Sequence, residues 1–279
     1  MSRCLLMLLA IATLAVPQAL ARDWYVNPDG SGDAPTIQAA FTASAAGDVI
    51  HLRPGTFYEH DIVAKAYVEL RSVSGPEVTI IDSEGGGKGI VGYDYNAPLA
   101  VEGITIMNGD NEGISLEGGG SQVIRSCVVW NFSVGVYGRY FEGIVADVTS
   151  VGGRVRPSGS GFSLSHCSPT LVNCISAFNG GYGIVTWTAD VPTLRCCCVY
   201  GNAGGDFEGM PDPTGQDGNI SLDPLFCDLA GGDLHLAPAS PCAPGENPSC
   251  GLIGALPVGC GSTPVGEATW GAVKAMFRQ

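Results

Sequence analysis

Four glycines set the frame. Gly113, Gly135, Gly161 and Gly183 sit at the start of four segments that lie over one another: EGISLEGGGSQVIRSCVVWN, VGVYGRYFEGIVADVTSVGG, SGFSLSHCSPTLVNCISAFN and YGIVTWTADVPTLRCCCVYGN. Their steps of 22, 26 and 22 residues mean stacked coils, each burying its apolar side against its neighbours. Leucine is too sparse for a leucine-rich horseshoe, and no segment carries a helical period. The expectation is therefore an all-β chain: a single right-handed parallel β-helix, or solenoid. The hand follows from the strong chirality of parallel crossovers.

Within each coil the residues after glycine alternate. Ile114, Val136, Phe162 and Ile184, then Leu116, Gly138, Leu164 and Thr186, face inward, because strand side chains point to opposite faces in turn. Stacking at about 4.8 Å puts like over like. Asn131, Asn179 and Asn202 end short strands and are expected to stack as one asparagine ladder. Cys127, Cys174 and Cys197 fall at nearly one position, the last inside the triplet Cys196, Cys197, Cys198. Buried cysteine packs as a small hydrophobe, so the column reads first as packing. A rung-to-rung disulfide from Cys174 to the triplet is the alternative, and a metal site the third, although His51, His60, His166 and His235 show no ligand spacing to it.

The ends differ from the middle. Residues 1–21, MSRCLLMLLAIATLAVPQALA, have one basic residue, a short apolar run and a small-x-small ending, the layout of a secretory signal peptide. The apolar run is too short to span a bilayer, and no later segment is long enough either. Cleavage would remove Arg3 and no acid, leaving 12 basic and 27 acidic residues and a charge of −15, which argues against nucleic acid as a partner. The expected organisation is signal peptide 1–21, β-helix with its N-terminal cap 22–226, a Cys- and Pro-rich closing segment 227–260, and a tail 261–279. In the cap, Thr36 is a suitable N-cap for a short helix with Ile37, Ala40 and Phe41 on one stripe. Such a helix would close the open end of the strand stack. Cys227, Cys242, Cys250 and Cys260 are expected to form two disulfides, with three connectivities open. In the tail, Trp270, Val273 and Phe277 lie at helical spacing.

The stretch GSGDAPTIQAAFTASAAGDVIHLRPGTFYE resembles the N-terminal segment of right-handed parallel β-helix repeat proteins of the pectate lyase and pectin methylesterase superfamily. The glycine and asparagine rungs, and GNISLDPLFCDLAGGDLHLAPASPCAPG followed by CGLIGALPVGC, are similar to secreted bacterial members. The resemblance covers residues 23 to 260 and implies fold and export, to the cell surface or the medium. It carries over no catalytic residue. FEGIVADV around Asp147 lacks the flanking residues of the methylesterases, and no calcium-binding carboxylate cluster with a basic partner matches the lyases.

The outward face of the repeat holds the candidate site. Four residues after each glycine stand Glu117, Arg139, Ser165 and Trp187; two before those stand Ser115, Tyr137, Ser163 and Val185. Glu117, Tyr137, Arg139, His166 and Trp187 thus form a strip with an aromatic face for a pyranose and polar groups for its hydroxyls; the same pattern also suits a solvated face. The 26-residue step places GGRVRPSGS, with Arg154 and Arg156, as a loop beside the strip. A second acidic group, Asp82, Glu84, Asp94, Asp110 and Glu112, with Tyr93 and Tyr95 between, offers the oxygen ligands that calcium takes. Two function classes follow: a non-catalytic secreted scaffold contacting extracellular or cell-surface polysaccharide, and a polysaccharide lyase, hydrolase or esterase. Oligomeric state is not written in these features.

Overall fold

The computed structural model describes residues 21–93, 98–153 and 159–260. Residues 1–20 of the expected signal peptide, the tail from Gly261, and Asp94, Tyr95, Arg154 and Arg156 lie outside the described residues.

The backbone coils as a parallel β-solenoid with three sheets. Among the described residues sheet A has eight strands, from Asp23–Val26 to Thr193–Arg195; sheet B has seven, from Gly55–Tyr58 to Cys198–Tyr200; sheet C has seven, from Ile62–Val63 to Gly205–Glu208. One coil runs through Val123–Arg125 in A, Val128–Trp130 in B and Val134–Arg139 in C before re-entering A at Ile144–Ala146. Every pairing within these sheets is parallel. The inward residues make columns: Ile50, Leu70, Val101, Ile124, Val145, Leu171 and Leu194 in sheet A, and Ile90, Ile114, Val136, Phe162 and Ile184 in sheet C, all buried. They form one continuous apolar core.

The glycines mark the corner where the chain passes from sheet B into sheet C, and Gly89 joins them as a fifth member. A Cβ on Gly135 would lie 1.9 Å from Ser150 Oγ and 2.7 Å from the Gly161 carbonyl oxygen; on Gly161, 1.9 Å from Ser176 Oγ and 2.9 Å from the Gly183 oxygen. Only a residue without a side chain lets successive coils approach this closely.

The N-terminal end is covered as expected. Helix α1 (Ile37–Ala43) buries Ile37, Ala40 and Phe41, and Thr36 Oγ1 accepts from Ala39 N. Glu59 completes the cap, its carboxylate accepting from Ile37 N at 2.8 Å and Gln38 N at 3.1 Å.

The asparagines correct the single-ladder expectation. Asn131 holds the left-handed turn position (φ 60°) and donates to Asn108 Oδ1 at 2.9 Å. Asn179 and Asn202 stand one residue later, after Phe178 and Gly201, which hold that position instead. Asn179 donates to Asn202 Oδ1 at 2.9 Å. There are two ladders, one residue out of phase.

The chain beyond Ile220 returns as a strap across the outward face of sheet B. A hairpin of Phe226–Asp228 and Asp233–Leu236, together with Ile253 and Leu256, packs on Val128, Val151, Ile175, Ala177 and Cys198 in a second apolar cluster. Ala255 N donates to Thr149 Oγ1, 106 residues away, and Gly254 N to the Asn173 carbonyl.

The disulfides also differ from expectation. Cys227 pairs with Cys260, but Cys250 reaches out of the closing segment to Cys196, and Cys242 is a buried free thiol. The strap crosses the last coil, which brings Cys250 to the triplet. The triplet therefore divides three ways. Cys196 takes the left-handed corner (φ 52°) and the bridge, Cys197 turns into the core, and Cys198 faces the strap. Cys127, Cys174 and Cys197 share one inward register position with Ile104 and Val148, and all three are buried. Burial pushes the Cys127 thiol up to about 12, and burial with its Cys197 hydrogen bond holds Cys174 well above the ordinary thiol range. Both are packing groups rather than nucleophiles.

Candidate functional site

Sheet C presents the strip. The register places Ser115 beside Tyr137 and Glu117 beside Arg139, then Tyr137 beside Ser163 and Arg139 beside Ser165. Ser163 is beside Val185 and Leu164 beside Thr186, so Trp187 follows Ser165 in the same column. The strand alternation that buries Ile114 and Leu116 forces Ser115 and Glu117 outward, and the same holds in each later coil.

Three of the five sequence-derived residues interact directly. Arg139 Nη1 lies 3.9 Å from Glu117 Oε2, with the carboxylate more sheltered than the guanidinium. Burial first and the Glu117 carboxylate second push the Tyr137 phenol above its ordinary range. Trp187 is farther along the strip. Its side chain is 62% exposed, yet its indole Nε1 donates to Ser163 Oγ at 3.0 Å, which fixes the ring's orientation. His166 reaches the others through Tyr140: the two rings stand 5.1 Å apart, and the Arg139 guanidinium lies 5.2 Å over the Tyr140 ring. His166 Nδ1 is 3.0 Å from Ser165 Oγ.

Residues outside the sequence-derived strip complete it. Lys88, one coil before Glu112, places Nζ 3.2 Å from Glu112 Oε2 and 3.4 Å from Ser115 Oγ. Burial works against its charge, but Glu112 outweighs it and holds the ammonium above its usual range. Tyr93 stands at the position of Glu117 one coil earlier and is 50% exposed. The signal for this coil is KGIVGYD, whose Gly89 lies 24 residues before Gly113. Tyr140, 39% exposed at φ 57°, carries no comparable signal, because left-handed tyrosine is not written in a strand pattern. From Tyr93 to Trp187 the column crosses four coil steps, about 19 Å at 4.8 Å each.

Of the second acidic group, Asp94 lies outside the described residues, and two of the others are taken up by separate partners. Asp82 accepts from Glu84 N and Asn108 Nδ2, and Glu112 belongs to Lys88. Among the described residues no three His, Cys, Asp or Glu side chains gather as metal ligands. Among the same residues no helix is long and apolar enough to cross a membrane.

A family model described as disaggregatase related matches residues 102–249, just over half of the chain, and spans all five residues of the strip. Among solved structures, the chain is similar to the pectate lyase Pel9A at 14% identity and a TM-score of 0.42, over 73% of this chain and 73% of that one. No curated protein matches it.

Proposed function

The chain belongs to the disaggregatase-related family, and from that premise we propose that it is an exported solenoid scaffold whose sheet C holds an extended polysaccharide at the cell surface or outside the cell. The observation that carries this reading is Trp187, an exposed indole locked by Ser163 at the end of a register-fixed column. A pre-oriented aromatic platform meets the apolar face of a sugar ring at little entropic cost. Arg139, Glu117, Ser165 and Tyr93 supply the hydroxyl-facing groups along it. Arg139 is the more exposed member of its ion pair, so an acidic glycan gains a partner there that a neutral one does not. Disulfides fit an oxidising compartment, and the acidic charge weighs against nucleic acid.

The test is retention on immobilised acidic and neutral glycans after Trp187→Ala and Arg139→Ala, with thermal unfolding as the folding control. Trp187→Ala is expected to weaken retention about five- to tenfold on both, since a stacked aromatic contributes about 1 kcal/mol. Arg139→Ala should weaken it on acidic glycans alone. Unchanged retention in both variants overturns the reading.

One observation favours an enzyme: the half-buried Lys88–Glu112 pair beside the raised phenol of Tyr137. Turnover of a retained glycan that disappears in Lys88→Met would establish that reading instead.

A further inference from the structure

Two thiols meet in the apolar cluster between sheet B and the strap. Cys198 leaves the last strand of sheet B pointing outward, Cys242 comes down from the strap, and neither has any exposed surface. Cys198 Sγ donates to the Leu222 carbonyl at 3.2 Å, and the Cys242 thiol, then burial, hold the Cys198 thiol well above its ordinary range. Each is fixed from behind. Cys198 N donates to the Cys174 carbonyl at 2.8 Å and the residue pairs with Ile220; Cys242 N donates to Ser240 Oγ at 3.1 Å, and its carbonyl accepts from Ile253 N at 3.0 Å.

We propose that Cys198 and Cys242 close a third disulfide in the exported protein, clamping the strap to the final coil. The two side chains enter one buried cluster from facing elements, so a bond between them would tie the strap to the coil. Among the described residues Cys174 and Cys197 also meet, but from one face of the solenoid. Those residues stand in register on adjacent coils, their Cβ atoms side by side at about 4.8 Å, beyond the usual 3.5–4.5 Å of a bridge. That pair stays reduced within the core.

The step is thiol–disulfide exchange. Cys198 and Cys242 lose two protons and two electrons as their sulfur–sulfur bond forms, and an external disulfide, that of an exported exchange protein or oxidised glutathione, is reduced to two thiols that take up both protons. Since neither sulfur is accessible once the strap is docked, exchange takes place before docking completes. The inference rests on export and not on glycan contact, so the retention experiment leaves it untouched.

The ten cysteines from Cys127 to Cys260 decide it. Protein secreted into an oxidising compartment is denatured with an alkylating agent and no reductant, then cleaved at Asp and Glu. Trypsin is of no use here, because no Lys or Arg lies between Arg195 and Lys274. Without the third bridge six of these thiols alkylate; with it four do, Cys127, Cys167, Cys174 and Cys197, and the peptide of residues 191–206, which holds all three triplet cysteines, is found joined to that of Cys242 with fragmentation placing its one alkylated residue at Cys197. Cys242→Ala makes the outcome independent of absolute counting, because the number of free thiols rises from four to five if the bridge exists and falls from six to five if it does not. Alkylated Cys198 and Cys242 in the wild type, or either one bridged elsewhere, overturns the inference.

Discussion

A glycine at the sheet B to sheet C corner is defined by what surrounds it rather than by its own backbone. Gly135 has no positive φ to protect, yet a methyl group there meets Ser150 Oγ at 1.9 Å, and moving that hydroxyl breaks its 3.0 Å hydrogen bond to the Gly161 carbonyl. Gly135→Ala is expected to cost about 1–3 kcal/mol, the usual range for an overpacked core. Gly245, with open space around it, is the control, and Gly245→Ala should stay within about 0.5 kcal/mol. Urea midpoints measure both; equal midpoints would mean the corner is not tight. The same residues show what a sequence can carry at this scale. The inward column from Ile114 to Ile184 and the outward one from Glu117 to Trp187 are legible because a strand has period two. The phase of the asparagines is not, because several residue types tolerate the left-handed turn, and Phe178 and Gly201 occupy it where Asn131 does elsewhere.

The strap is the element whose place the sequence hides. Its cysteines are countable, but which coil it crosses depends on the apolar outward face of sheet B, and that face exists only after the solenoid has formed. Hence Cys250 finds Cys196 rather than a closer partner in the chain. One edge of the strap is held by charge. His235 Nδ1 lies 2.7 Å from Asp233 Oδ1, and its Nε2 lies 3.4 Å from Glu77 Oε1 on the loop before the second strand of sheet B. Burial disfavours the imidazolium, but these two acceptors outweigh burial and raise its pKa. A raised folded-state pKa adds stability that is whole below the ordinary value of about 6.5 and is lost as pH climbs through the folded value. The urea midpoint should therefore fall between about pH 6 and pH 8.5 in the wild type by more than in His235→Gln. Parallel profiles for the two proteins would show that the histidine does not tie the strap.

At the scale of the molecule, a solenoid is a chain of nearest-neighbour contacts, each coil touching only the one before and after. The strap breaks that rule. It spans the coils of Val128, Val151, Ile175 and Cys198 and joins residues as far apart in sequence as Thr149 and Ala255. It also leaves sheet C open while closing sheet B, which is why the polar strip rather than the apolar face meets solvent. A chain ending at Leu222 keeps every strand of the three sheets yet bares the outward side chains of sheet B, a contiguous apolar patch of the kind that drives association. With Cys196→Ser and Cys198→Ser included to remove the thiols that lose the strap, such a chain is expected to elute as assemblies larger than the full-length protein in size-exclusion chromatography with light scattering. Far-ultraviolet circular dichroism should still report β-structure. A truncated chain of monomeric mass and unchanged unfolding midpoint would mean that the coils are self-sufficient and the strap is only a covering.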